Sequence, residues 1–467
     1  MGKFYITTTL PYVNAKPHVG FAMEIVRADA LARAHRATGD KVLFNTGTDE
    51  HGLKIYQKAL ENHQTPQEYC DEYAAKFEIL RKSLNLSYDT FIRTTDKYHI
   101  ESAQEFWRRC LASGDIYKAK YKIKYCVGCE LEKTDSELVD GKCPVHPSRE
   151  LEIIDEENYF FRWSKYQKPL LDLYKKQKNY VVPYFRQEEI TKFVESGLQD
   201  FSISRLKAKM PWGVDIPDDP DQVMYVWFDA LVSYIAALGW PKEKGKFEDW
   251  WPGYQVAGKD NLRPQSAMWQ AMLMSAGIPN SKQIYVEGFI TSGGQKMSKD
   301  FGNVIDPLEY VDRYGTDALR YFLLAKIDPF EDGDFTRELF EKAYQADLAN
   351  GLGNLVARIV AMASGTEVRI KSQELRKEII EKLDGYRFDG AMKLIWEDIK
   401  KADTFINENR VWEQKDEKKT ESLEYLVNTL RQIGTDLQPF LPETAEKILK
   451  QLTGKVTRGD NLFQRLP

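Results

Sequence analysis

No apolar run in the sequence approaches the roughly 20 residues that a membrane-spanning helix needs, which excludes an integral helical membrane protein. The first residues also lack the basic stretch and apolar core of a secretory signal. Cysteine is scarce: five residues in 467, an odd number, do not build a disulfide framework. Basic charge is not in excess either. Lys and Arg number 66 against 71 Asp and Glu, a net charge of −5, which argues against a chain coated in nucleic acid. RNA contact stays open, because local patches rather than totals meet phosphates. These absences point to a cytoplasmic enzyme. At 467 residues the chain exceeds one core and divides into two or three domains.

What is present begins at residues 6–30. Residues 3–10 are rich in β-branched and aromatic side chains and read as a strand. Pro11 and Pro17 forbid a helix between them. From Val19 the apolar positions Ala22, Val26, Ala30 and Ala34 recur at helical spacing until Gly39. A strand, a tight loop and a helix N-terminus make a place where backbone N–H groups and the helix dipole favour phosphate. His18 and Gly20 stand at that junction. A second strand, residues 41–46, then leads into Gly47-Thr48-Asp49-Glu50-His51-Gly52. Strand, helix and strand imply a right-handed parallel unit whose loops open on one crevice. Asp49 fits a ligand contact there, and on spacing alone it fits a helix N-cap equally.

Residues 53–113 read as amphipathic helices with Phe106 and Trp107 in the core. Residues 116–125 alternate, with Lys118, Lys120, Lys122 and Lys124 on one face of a half-buried strand. That face suits edge protection or a phosphate backbone. Cys126-Val-Gly-Cys129 and Cys143-Pro-Val-His146 follow, two knuckles with the spacing of a tetrahedral structural zinc site. All four positions are protein ligands, so the metal is structural rather than catalytic. Cys70 and Cys110 read as buried thiols.

The chain returns to its main sheet near Trp212 on this reading, with a strand at 222–226 and a helix at 227–237 that places Trp227, Ala230 and Tyr234 on one face. Residues 254–257 form another strand, ending in Gly258-Lys259-Asp260, and residues 283–291 the last strand of the sheet. Ser292-Gly293-Gly294-Gln295 is a hinge into Lys296-Met297-Ser298-Lys299, two lysines suited to a phosphate clamp. Beyond Thr336 the pattern is helical throughout.

The two segments around His18-Val19-Gly20 and Lys296-Met297-Ser298-Lys299 resemble the paired signatures of class I aminoacyl-tRNA synthetases. The words Leu10-Pro11-Tyr12-Val13-Asn14, Gly47 to Gly52 and Val226-Trp227-Phe228-Asp229-Ala230-Leu231 make the whole chain similar to the methionyl-tRNA synthetase family. The resemblance implies a Rossmann-like parallel-sheet α/β catalytic domain split by a zinc-knuckle insertion and followed by an all-α bundle. The implied boundaries are 1–115 and 212–295 for the two catalytic halves, 116–211 for the connective insertion, 296–345 for the lysine loop and linker, and 346–467 for the anticodon-binding bundle.

The same resemblance implies activation of L-methionine with ATP and Mg²⁺, then transfer to the 3′-terminal adenosine of tRNA(Met), the initiator included. His18, Lys296 and Lys299 would be catalytic. ATP would meet His18, Gly20, Phe21, Gly258, Asp260, Lys296, Ser298 and Lys299. Methionine would meet Leu10, Tyr12, Asp49, Trp227, Ala230, Leu231, Tyr234, Asn261 and Gln265. The anticodon would meet Asn354, Arg358 and Trp412, and zinc would take Cys126, Cys129, Cys143 and His146. No appended dimerising module is visible, so a monomer is expected. Departures from the family pattern stand at Phe21 and Asp300 (where histidine and serine are usual), Glu287, Asn261, Gln265 and Val411. They keep two alternatives open: a weakened paralogue acting as a tRNA-binding module, and a class I synthetase for another aliphatic amino acid.

Overall fold

The computed structural model describes residues 2–129, 131–133, 137–297, 302–453 and 455–466. Its centre is a six-stranded parallel sheet, in spatial order Thr90–Arg93, Lys41–Thr48, Lys3–Thr8, Tyr254–Gly258, Gln283–Glu287 and Val181–Val182. In the first strand every residue from Phe4 to Thr8 is buried. Both faces of a central parallel strand are covered, which is why it reads as a continuous β-rich run rather than an alternation. The first and second strands are joined by the helix Val19–Ala37, which is itself buried almost all round, Glu24, Arg27 and Asp29 included. The strand order reverses between Lys3–Thr8 and Tyr254–Gly258. A crevice opens outside the carboxyl ends of strands at such a point.

The insertion is built on a long antiparallel pair, Ile116–Cys126 against Glu152–Phe161, in register from Ile116↔Phe161 to Tyr125↔Glu152. Lys118 on its basic face reaches Asp219 at 2.7 Å, so part of that face is an internal ion pair. Cys70 and Cys110 are buried, as read from the sequence.

Four elements differ from the sequence reading. Residues 53–113, read as helices, also contain the edge strand Thr90–Arg93, whose four residues are too few to show a period of their own. The strand Asp219–Met224 does not rejoin the main sheet. It lies in a small antiparallel sheet with Ser204–Leu206 and Asp215–Ile216. The sixth strand of the main sheet is instead the two-residue Val181–Val182, too short to carry a periodicity signal. The helix anticipated at 227–237 is two short helices, Val226–Ala230 and Ser233–Ala236. The run at 283–291 breaks after Gln283–Glu287, and Ile290–Ser292 pairs with Gln295–Lys296 and Gly333–Asp334 in a separate sheet. Gly288 sits at the break. A Cβ there would lie 2.2 Å from the Glu331 carbonyl oxygen, so only glycine lets the two segments pass.

Beyond Thr336 the helices Arg337–Ala343 and Asn354–Ala363 are joined by a π-helical stretch, Tyr344–Gly353, that contains Gly351 and Gly353. Lys377–Asp384, Phe388–Glu408, Asp416–Leu437 and Pro442–Gln451 complete the bundle.

Candidate active site

The crevice at the reversal of strand order holds a cavity of about 470 Å³. Its lining includes Leu10, Tyr12, His18, Gly20, Phe21 and Asp49, and from the second half of the chain Trp227, Ala230, Leu231, Tyr234, Gly258, Asp260, Asn261 and Gln265. The sequence proposed these residues for one site from four separate segments. The fold brings all of them to one cavity.

The loop after the first strand is fixed by backbone bonds to the loop after the second: Asp49 N donates to Pro11 O at 3.0 Å, and Val13 N to Asp49 O at 3.1 Å. His18 closes this loop as the N-cap of the first helix, its Nδ1 accepting from Gly20 N at 3.1 Å. A Cβ on Gly20 would stand 2.9 Å from the His18 ring, so the cap needs glycine there. Burial in the crevice lowers the His18 pKa, against the opposing pull of the Asp260 carboxylate. A neutral imidazole therefore faces the cavity from a helix N-terminus whose first two N–H groups are already taken, Val19 N by Ile305 O at 3.0 Å and Gly20 N by His18 itself.

Tyr234 and Gln265 form the buried back wall. The Gln265 amide donates to the Tyr234 hydroxyl at 2.6 Å and its oxygen accepts from Gln255 at 3.1 Å. The two side chains hold each other in place, which stiffens an otherwise apolar face. Phe21 packs edge-on against Phe77, with ring centroids 5.4 Å apart, and offers no donor.

Two carboxylates at the floor were not singled out as site residues by the sequence. Glu24 accepts from the Thr9 N–H and hydroxyl at 2.7 and 2.6 Å. Glu287 pairs with the fully buried Arg27 at 3.1 Å. Burial, with Glu287 close by, pushes the Glu24 carboxyl well above its ordinary value. Burial pushes Glu287 to about 7, Arg27 opposing and Asp260 adding. Glu24 follows His18 at i+6 on the same helix, a spacing that a search for face partners at i+3 and i+4 passes over.

The cysteine cluster stands at the mouth of this cavity, where Gly128 and Cys129 form part of the lining. The ligand atoms of Cys126, Cys129, Cys143 and His146 all lie within 4.8 Å of one another. The Sγ atoms of Cys129 and Cys143 are 3.4 Å apart, and Nδ1 of His146 is 3.2 Å from Cys129 Sγ and 3.8 Å from Cys126 Sγ. Four soft donors converging at such separations fit the edges of a tetrahedron about one ion with bonds of roughly 2.0–2.3 Å. A Cβ on Gly128 would meet the His146 ring at 2.6 Å, so the knuckle also needs its glycine.

Lys296 is exposed outside the cavity, its ammonium 5.1 Å from the Phe289 ring at the cavity edge. Ser298, Lys299 and Asp300 lie outside the described residues. In the bundle, Arg358 is engaged by Asp403 and by Asn407 Oδ1 at 2.7 Å, while Trp412 is half exposed. Asn354 opens the helix that carries Arg358.

A parallel sheet with a phosphate-favouring helix N-terminus at its reversal point, a lysine strand beside it and a helical bundle after it defines a class I synthetase. The sequence profile described as tRNA synthetases class I (M) matches residues 4–151 and 147–360. The chain belongs to this family, the methionine branch of the class. It is 40% identical over 476 residues to the methionine–tRNA ligase of Thermosynechococcus vestitus, covering 96% of this chain and 90% of that protein. It is also 40% identical to the one from Thermotoga maritima, over 97% of this chain and 75% of that one. Among solved structures, methionyl-tRNA synthetase of Mycobacterium tuberculosis in complex with methionyl-adenylate superposes with a TM-score of 0.92 at 34% identity, over the full length of both chains.

Proposed function

We propose that the chain is a methionine–tRNA ligase, activating L-methionine with ATP and passing the methionyl group to the 3′-terminal adenosine of tRNA(Met). The observation that carries this reading is the single cavity at the strand-order reversal, lined by a carboxylate, an aromatic wall and a histidine-capped helix together. Asp49 would hold the α-ammonium. Leu10, Tyr12, Trp227, Ala230, Leu231 and Tyr234 would enclose the thioether side chain, where sulfur–aromatic contacts contribute roughly 0.3–1.5 kcal/mol each. Asn261 and Gln265 complete that pocket. Gly258 allows the nucleoside to approach, and Asp260 accepts from the ribose.

In the first step a methionine carboxylate oxygen attacks the α-phosphorus of ATP, and pyrophosphate leaves with the bonding pair. In the second a ribose hydroxyl of the terminal adenosine attacks the activated carbonyl, and AMP leaves. Such chemistry needs charge neutralised and reactants aligned rather than a protein nucleophile. His18, its Nδ1 occupied by Gly20 N, would supply its other ring nitrogen as a fixed donor beside Phe21, at the positive end of the helix dipole. Lys296, Ser298 and Lys299 form the phosphate clamp, and Mg²⁺ bound with ATP neutralises phosphate charge.

A zinc ion on Cys126, Cys129, Cys143 and His146 would fold the knuckle. Asn354, Arg358 and Trp412 would read the anticodon, with Trp412 as a stacking surface worth roughly 1–3 kcal/mol per base. The domain division stated above and a cytoplasmic location belong to the same proposal. ATP–pyrophosphate exchange with each of the twenty amino acids tests it, and the expected result is exchange with methionine alone. No exchange with any amino acid alongside intact tRNA binding would favour the weakened-paralogue reading, which Phe21 motivates. Exchange with another aliphatic amino acid would overturn the assignment of the pocket.

A further inference from the structure

Three consecutive side chains in the loop after the second strand run in three directions. Asp49 enters the cavity. Glu50 turns away, accepting from Arg93 at 2.7 and 2.9 Å and from the Thr48 hydroxyl at 2.6 Å. His51 turns to the other side, its Nδ1 3.0 Å from Asp229 Oδ2. Asp229 has no exposed surface, and its second oxygen lies 3.5 Å from Nε2 of the fully buried His99. The indole N–H of Trp212 closes the loop from outside, donating to Glu50 O at 2.6 Å.

Asp229 belongs to the helix Val226–Ala230, between Trp227 and Ala230, the two wall residues of the cavity. His99 belongs to the helix Lys97–Ala112. One buried carboxylate thus ties the loop bearing the ammonium contact to the helix bearing the side-chain wall, with the imidazole of a third element 3.5 Å behind it. Neither Asp229 nor either histidine lines the cavity. Burial alone would raise the Asp229 carboxyl; the charge and hydrogen bond of His51, with His99 behind, hold it below the usual carboxylate range. A buried carboxylate is costly unless paired, so the pairing geometry is tightly held.

In a free amino acid the ammonium and side chain stand at a fixed separation. A site that reads both must hold its two contacts in register. We propose that Asp229 is the positioning residue of the amino-acid site, setting Asp49 through His51 and setting Trp227 and Ala230 through its own helix. This rests on the reading of the cavity as the methionine site.

The test is pyrophosphate exchange with methionine and ATP varied separately, on wild type, Asp229→Asn, His51→Leu and His51→Asn, with thermal melting of each. His51→Asn keeps a side-chain N–H near the position of Nδ1, and His51→Leu keeps bulk without a donor. Asp229→Asn and His51→Leu should raise the methionine KM by ~10-fold or more and leave the ATP KM within ~2-fold, as loss of an outer orienting contact does. His51→Asn should recover most of the methionine KM. Folded variants whose methionine KM is unchanged, or whose methionine and ATP KM rise together, overturn the proposal. So does a loss confined to kcat. If Asp229→Asn fails to fold, the His51 pair decides by the same criteria. A wild type that does not exchange with methionine sinks the reading of the cavity itself, and the two failures are thereby told apart.

Discussion

Asp49 and Glu287 are both buried carboxylates at the cavity, and their partners send them to different tasks. Asp49 has a side chain directed at ligand space, and a charged hydrogen bond of that kind contributes about 1.5–3 kcal/mol. Asp49→Asn should therefore raise the methionine KM about 10- to 100-fold with the fold intact, read by exchange kinetics and an unchanged melting curve. A rise of comparable size in the ATP KM would contradict the assignment. Glu287 carries a pH dependence instead. Its folded pKa stands at about 7 against an ordinary 4.5, chiefly through burial. Between those two values the folded carboxyl keeps a proton that the unfolded chain has released. Stability from this group is present in full below the unfolded value and is lost as pH rises through the folded one. Melting temperature measured against pH, minus the same curve for Glu287→Gln, should fall from pH 4.5 towards 7 and level off above it. A flat difference would mean that Arg27 holds Glu287 charged throughout. Phe21 yields a third prediction at this scale. Phe21→His replaces an apolar ring with a donor at the helix N-terminus, and losing one such preorganised donor costs roughly 3–4 kcal/mol. The substitution should raise the exchange rate by about tenfold or more, the Phe77 contact absorbing part of the gain. No gain would show that the site has arranged its donors without that position.

Elements were readable in the sequence where their apolar pattern, whether a continuous run or a period, was long and local. The first strand, the first helix and the alternating 116–125 strand needed no tertiary knowledge, since each carries its own burial pattern in its own residues. Val181–Val182 could not be found that way: two residues hold no period, and the strand exists only because Ile284 and Tyr285 offer an edge. The split of residues 227–237 into two short helices was hidden for a related reason. Its residues are nearly all apolar and buried, so the sequence marks burial without marking the turn. Of the site, the loops at strand ends were readable because glycine, proline and charged residues interrupt apolar runs there. Glu24, Asp229 and His99 were not, because a buried charge looks like a surface charge until its partner is known. The knuckle shows the opposite case, where four residues at fixed spacing declare an element without any hydrophobic pattern. Cys143→Ser should abolish binding of one zinc equivalent, measured by elemental analysis, because structural zinc contributes folding energy outright. Limited proteolysis should then cut between residues 126 and 149 faster than in wild type, while the melting of the core stays in place. A wild type with no bound zinc, or a Cys143→Ser protein that keeps it, would overturn the site.

At the scale of the whole molecule the first helix links the cavity to the helical C-terminal part. Its N-terminus faces the cavity through His18, and its middle reaches the chain beyond the sheet through two buried charges. Arg27 donates to the carbonyls of Ile327 and Asp328 at 3.1 Å each. Asp29 accepts from Arg320 at 2.9 Å, and Arg320 in turn donates to Leu84 O at 3.0 Å, Pro439 O at 3.1 Å and Phe440 O at 2.7 Å. One fully buried guanidinium thus joins the catalytic sheet's helix to the turn before the last helix of the bundle. Five N–H donors in a rigid fork suit this use, which lysine could not reproduce. Arg320→Leu leaves three carbonyls without that donor, and Asp29 with only Arg33 and Ser87. Breaking a buried ion pair on one side costs roughly 3–5 kcal/mol. The loss falls between two parts of the chain rather than inside either, so it should appear as lost cooperativity. Calorimetry should resolve the single transition of the wild type into two in Arg320→Leu, the helical C-terminal part melting apart from the sheet. Methionine-dependent exchange should persist, since the cavity is lined from the other end of the helix, and transfer to tRNA should fall. A single transition at an unchanged temperature, with transfer intact, would show that apolar packing along the bundle and not this guanidinium holds the two parts together.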